Sequence, residues 1–264
     1  MGKIYAIANQ KGGVGKTTTC VNLAASLAAT RKRVLLVDLD PQGNATMGSG
    51  VDKNAQEFTV YDVLMGLTRI ENTVQRSPEG NYDVLPSNGD LTAAEVEMLS
   101  LEKKEYRLHN ALAELSAPYD YVLIDCPPSL NMLTINALTA CHGVIIPMQC
   151  EYYALEGLSA LVDTITTIQS VLNPTLKIEG ILRTMYDPRN SLTGDVSQQL
   201  HSHFGDRLYR TCVPRNVRLA EAPSFGLPVI AYDKQSKGAL SYIALAGEII
   251  RRNDPKAPEV PAAV

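Results

Sequence analysis

Residues 9–20 read NQKGGVGKTTTC, between an apolar, β-branched run at residues 4–8 and a segment of helical spacing at 17–29. A strand, a glycine-rich turn and a helix in that order frame a phosphate-binding loop. The glycines let successive backbone N–H groups converge on one point, and the helix N-terminus turns positive potential towards it. Lys16 has the reach for the outer phosphates of a nucleotide, and Thr17 has a hydroxyl for Mg²⁺. Gly12, Gly13, Val14, Gly15 and Thr18 complete the cradle. The usual G-x-x-x-x-G-K-[ST] spacing is not met. Gln10 stands where its first glycine belongs, and a second lysine, Lys11, follows at once.

The rest of the chain continues the alternation. Apolar runs at 34–37, 82–85, 121–124, 143–148 and 178–182 are separated in most cases by helical spacing, at 93–115, 130–140 and 155–172. Strands that are apolar on both faces and alternate with helices imply a parallel sheet covered on each side. No internal repeat and no Gly/Ser-rich linker interrupts the pattern. The expectation is one α/β domain over residues 1–252, a P-loop NTPase-like, mostly parallel sheet with helices on both faces. The tail NDPKAPEVPAAV, residues 253–264, lacks an apolar face and is expected to be disordered. The stretch 144–148 is far too short to span a bilayer, and residues 1–3 lead straight into a strand without a signal peptide, so the reading is cytoplasmic. Five cysteines without a C-x-x-C pair suggest neither a disulfide framework nor a zinc site.

In open parallel sheets, ligands lie beyond the carboxyl ends of the strands. Asp38 and Asp40 close one apolar run in VLLVDLDPQGN and Asp125 closes another in YDYVLID, which aims all three at the phosphate loop. Asp125 ends its run like a Walker B acid and is expected to hold Mg²⁺ through water, since a small hard cation keeps much of its hydration. DPQGNAT after Asp40 and CPPSL after Asp125 have the punctuation of loops that respond to a γ-phosphate. Ser129 is expected to cap a helix beginning near Leu130.

KGGVGKTT resembles the deviant Walker A motif of the family that includes the ParA/Soj partitioning ATPases, the MinD cell-division ATPases and the nitrogenase iron protein. VLLVDLDPQGNAT, YDYVLIDCPPSL and VPRNVRLAEAPSFGLPVIAYDKQSKGA extend the resemblance over almost the whole chain and are similar to Soj-type ParA. The resemblance implies ATP and Mg²⁺ as cofactors and a weak intrinsic ATPase. It implies an ATP-dependent homodimer in which Lys11 reaches the phosphates held by the other subunit. A second positive charge there also lowers the cost of the negative charge that builds up in phosphoryl transfer. By the same resemblance Asp40 positions the attacking water, Asp38 supports the metal site, and residues 213–224 pack on adenine. Pro214 would lie against the base with Asn216 at its edge, and Met185 nearby.

Net charge is −4, but it is unevenly spread: residues 1–179 hold 13 Lys and Arg against 20 Asp and Glu, whereas residues 180–252 hold 10 against 6. Gathered on one face of a Soj-type dimer, these cations would neutralise DNA phosphates. No recognition helix-turn-helix, zinc finger or RNA-binding motif is visible, so binding to double-stranded DNA is expected to be non-specific. Arg189 and Arg218 match basic positions of Soj-like sequences and lead the residues expected to meet DNA, followed by Lys234, Lys237 and Arg251. The implied function is DNA partition on the nucleoid, with hydrolysis stimulated by a ParB/Spo0J-like partner. Three alternatives share the fold. A MinD-like membrane switch needs a C-terminal amphipathic helix, which the prolines of APEVPAAV break. A nitrogenase-reductase-like carrier needs thiolates facing the dimer axis, with Cys126 and Cys141 as candidates. A metabolic ligase or synthase is the third.

Overall fold

The structure is a computed structural model that describes residues 2–116, 118–152 and 154–254. Its strands are β1 (Lys3–Ile7), β2 (Val34–Asp38), β3 (Gln75–Arg76), β4 (Asp83–Leu85), β5 (Tyr121–Asp125), β6 (Gly143–Gln149), β7 (Lys177–Tyr186) and β8 (Leu208–Pro214). They form one sheet in the order β3-β4-β2-β5-β1-β6-β7-β8. Only β3 runs antiparallel to its neighbour. The mostly parallel α/β architecture expected from the alternating pattern is the one observed.

Successive side chains of a strand serve opposite faces of the sheet. Ala6 and Val37 enter a core covered by the helices Met132–Ala140 and Ala154–Val171. Tyr5, Ile7 and Leu36 enter a second core, covered by Lys16–Ala29 and Lys237–Asn253. Every residue of β2 and β5 is buried, which is why their sequences read as unbroken apolar runs. β1 lies between β5 and β6, so connections leave it in both directions, and the crevice at its carboxyl end holds the glycine-rich loop.

Three local expectations need correction. The segment 93–115 is two helices, Leu91–Glu97 and Arg107–Ala113, separated by turns and by Lys103 at φ 50°. Asn136 fixes the start of the second helix: its amide donates to the Lys104 carbonyl and accepts from the Leu108 N–H, in place of the one backbone bond that a continuous helix would make between them. The helix after residue 130 is capped by Asn131, which accepts from the Thr134 N–H; Ser129 contributes only its carbonyl, to the Thr134 hydroxyl. The last helix runs through Asn253, which accepts a hydrogen bond from the Tyr5 hydroxyl at 2.9 Å. The tail expected to be disordered lies, from residue 255, outside the described residues.

No helix among the described residues is long and apolar enough to cross a membrane. The apolar face of Lys237–Asn253, with Tyr242, Leu245, Ala246 and Ile249, is spent on the core.

Candidate active site

The loop after β1 takes its shape from two glycines and three side chains. Gly13 and Gly15 have φ of 73° and 89°, a region that glycine enters without steric cost. Asn9 accepts from the Lys11 N–H and donates to the Pro147 carbonyl, which ties the start of the loop to β6. Thr184, on β7, donates to the Val14 carbonyl at 2.7 Å. Lys16 folds back so that Nζ donates to the Lys11 carbonyl at 3.1 Å. It is 7% exposed, and burial lowers its pKa, opposed by the negative charge of Asp125. A buried ammonium group on a glycine-rich turn, at the N-terminus of the helix Lys16–Ala29, is a site for an anion of several oxygens.

Lys11 behaves differently from Lys16. Its side chain is 45% exposed and leaves the loop altogether, to make a 2.6 Å ion pair with Glu151 beyond the end of β6. Thus only one of the two lysines occupies the cradle of its own chain.

The carboxylates divide as sharply. Asp38 and Asp125 are register partners on adjacent parallel strands, and both are fully buried. Asp38 accepts from the Asp40 N–H, the Thr46 N–H and the Thr46 hydroxyl. Burial nonetheless pushes its pKa up to about 6 against those hydrogen bonds. Neither oxygen of Asp125 has a hydrogen-bond partner among the described residues, although the Thr17 hydroxyl lies beside it. Its pKa is raised, first by burial and then by the charge of Asp38. An unpartnered, buried carboxylate is costly, and a cation relieves that cost.

Asp40 is only half-buried and accepts from the Gln42 N–H at 2.9 Å. Its carbonyl takes the Ser87 hydroxyl, so the segment from Asp40 to Thr46 is held at both ends while the Asp40 side chain stays accessible.

At the opposite rim, Pro214 ends β8 across from Tyr186 on β7. Asn216 caps the short helix Val217–Glu221 by accepting from the Arg218 N–H, leaving its amide nitrogen free among the described residues. Met185 is held at φ 47° on the same rim. Met185 and Pro214 thus lie at the carboxyl ends of two adjacent strands, and Asn216 follows two residues after Pro214.

Seven of the ten basic residues in 180–252 fall into three groups. Arg183 and Arg252 are internal stitches: Arg183 binds the Ser197 hydroxyl and the Tyr209 carbonyl, and Arg252 lies over the Tyr209 ring and pairs with Glu248. Arg189 is paired with Asp187, and Arg218, which stands on a helix and not a loop, with Glu221 and Asp233. No ion pair among the described residues engages Lys234, Lys237 or Arg251, all exposed.

Cys126 and Cys141 are each 2% exposed within one core, and burial raises both thiol pKa values, that of Cys141 to about 12. That environment disfavours the thiolates an iron–sulfur cluster requires.

Asn9, Thr46, Thr184 and Glu151 are not among the site residues expected from the sequence. Asn9 alone carries a local signal, an Asn two residues before the N–H that it binds.

Comparison with known proteins agrees with this geometry. The family model for an AAA domain matches residues 2–178. The chromosome partitioning protein ParA of Myxococcus xanthus is 50% identical over 258 residues, 98% of this chain and 91% of that one. The sporulation initiation inhibitor protein Soj of Bacillus subtilis is 53% identical over 249 residues, 94% of this chain and 98% of that one. Among solved structures, a Mycobacterium smegmatis cobyrinic acid a,c-diamide synthase with bound ATP analogue and magnesium has a TM-score of 0.84 at 38% identity and covers 96% of each chain. With its phosphate loop, its paired strand-end carboxylates and relatives of this likeness along nearly its whole length, the chain belongs to the ParA/Soj family of chromosome-partitioning P-loop ATPases.

Proposed function

We propose that this protein is an ATP-switched DNA-partition ATPase whose working form is a dimer closed around two nucleotides. Lys16 binds the phosphates of its own chain's ATP, with backbone N–H groups from residues 12–18. The buried, unpartnered Asp125 and the Thr17 hydroxyl fit Mg²⁺, which would supply charge neutralisation at the outer phosphates. Among the described residues no group of three His, Cys, Asp or Glu is placed to hold a metal, so phosphate and water complete the coordination. Asp40 orients the attacking water. Asp38, with both oxygens engaged by residues 40 and 46, anchors the switch segment instead of touching the metal. Pro214 and Asn216 receive the adenine.

The observation that carries the two-chain reading is the outward course of Lys11. A lysine that leaves its own loop is free to serve a facing copy once the pair with Glu151 is exchanged for phosphate, a pair that is weak at this exposure. Lys11→Ala should therefore bind ATP with nearly wild-type affinity yet fail to dimerise or hydrolyse it. Sedimentation with a slowly hydrolysed ATP analogue reads this directly, and a stable dimer of the variant would refute the trans role.

The dimer binds nucleoid DNA without sequence preference, and a ParB/Spo0J-like protein stimulates hydrolysis and release. Lys234, Lys237 and Arg251 meet phosphate at no cost in broken pairs, whereas Arg189 and Arg218 must first give up Asp187, Glu221 and Asp233. Lys237→Ala should thus weaken binding more than Arg189→Ala on any duplex. It should also reduce the slope of log affinity against log salt by about 0.9, the share of one neutralised DNA phosphate. Equal slopes in wild type and Lys237→Ala would remove that residue from the interface. The Mycobacterium smegmatis likeness raises a synthase as the second reading; the higher identity to ParA and Soj favours partition.

A further inference from the structure

Thr184 lies outside every motif of the nucleotide site, on β7, two strands away from β1 in the sheet order. It is 3% exposed, and its hydroxyl donates to the Val14 carbonyl at 2.7 Å. Val14 is itself 1% exposed and stands between Gly13 and Gly15, the two loop residues at positive φ. A methyl group of Thr184 lies 3.8 Å from where a Cβ on Gly15 would be, so the strand packs flush against the loop.

In a trans peptide the carbonyl of one residue and the N–H of the next point in opposite directions. The peptide joining Val14 to Gly15 thus has its oxygen fixed towards β7 and its N–H directed away from β7, into the cradle. Gly15, with φ of 89°, can also take the opposite sign of φ without steric cost, so this peptide is able to turn over. Turned over, it would present an oxygen to the phosphates where they need a donor.

We propose that Thr184 is a positioning residue for nucleotide binding, a tether that holds the Val14–Gly15 peptide with its N–H facing the phosphates. This rests on the nucleotide reading given above. Lys16 also closes the loop, through the Lys11 carbonyl, but its ammonium must leave that carbonyl when phosphate arrives. The Thr184 bond persists in both states. It also joins the loop to the strand that carries Met185 and Tyr186, so the phosphate and base ends of the site share one support.

Thr184→Val keeps the side-chain shape and removes the donor. Titration with Mg-ADP and with Mg-ATP should give about tenfold weaker binding, as the free protein samples the turned peptide and binding must restore it. Thr184→Ser keeps the hydroxyl and should stay within about twofold of wild type. In turnover assays KM for ATP should rise more than kcat falls. A side chain that merely packs would lower the melting temperature of Thr184→Val without moving either affinity, and that result overturns the tether while leaving the nucleotide reading intact. Equal losses in the Ser and Val variants overturn it as well. Should Thr184→Val not fold, the Ser variant alone decides, since a tenfold loss there contradicts the role of the hydroxyl. Wild-type protein that binds neither nucleotide overturns the nucleotide reading and this inference together.

Discussion

Lys16→Ala will lose at least about a hundredfold in affinity for ADP and ATP, a change of about 2.7 kcal/mol. Hydrogen bonds between an ionised donor and an ionised acceptor are each worth about 1.5–3 kcal/mol, and Lys16 is placed to make more than one with a di- or triphosphate. Its charge also faces Asp125 and Asp40, and it is the clasp on the Lys11 carbonyl. The helix itself should survive, because alanine is the best residue for a first turn that needs no side chain. Calorimetric titration with Mg-ADP decides the matter. Affinity within threefold of wild type would mean that the phosphates bind elsewhere.

Asp125→Asn should move activity and stability in opposite directions. Hydrolysis should fall by about 10²–10³-fold, as the carboxylate meant for Mg²⁺ becomes a neutral amide. The nucleotide-free protein should become more stable by about 1–3 kcal/mol, because the amide replaces a buried carboxyl that has no hydrogen-bond partner among the described residues and whose ionisation burial opposes. For a domain of this size, each kcal/mol raises the melting temperature by about 2–4 °C. The sign of the pH dependence follows from the raised pKa of both carboxyls. Burial makes the folded protein retain protons that the unfolded chain gives up near pH ~4, so wild-type stability falls as pH rises from there through the folded values, near 6 for Asp38. Asp125→Asn removes one of the two groups. Its advantage should be absent in acid and should grow as pH rises above about 4, where the unfolded carboxyl ionises. Melting curves across that range test it, and a variant less stable than wild type at neutral pH would show that Asp125 is compensated within the folded chain.

What the sequence made legible was whatever rests on local pattern. The strands whose residues are buried on both faces announced themselves, as did the loop, because glycine spacing and a following helix are contiguous. Asp38 and Asp125 could be aimed at the nucleotide from their strand ends alone. Their different surroundings could not, since Thr46, eight residues downstream of Asp38, hydrogen-bonds one carboxylate while the other has no hydrogen-bond partner among the described residues. β8 escaped notice because it is an edge strand of mixed burial, and the helix Ser191–Phe204 because only Thr193, Val196 and Leu200 are buried. Thr184 and Glu151 are 170 and 140 residues from their partners in the loop, and no period or motif connects such pairs. The surface charges are the clearest case of information that only folding supplies. Arg189 and Lys237 look alike in the sequence, yet one is paired with Asp187 and the other has no ion pair among the described residues.

ATP should convert this protein into a DNA-binding dimer. The most direct measurement is retention of the full chain on a random-sequence duplex, compared without nucleotide, with Mg-ADP and with Mg²⁺ and a slowly hydrolysed ATP analogue. Two copies on one surface gain by multivalency, so the account predicts tight, salt-sensitive binding only with the analogue, on any sequence, alongside sedimentation as a dimer. Equal retention in all three conditions, or a dimer with the analogue that leaves DNA unbound, would contradict it.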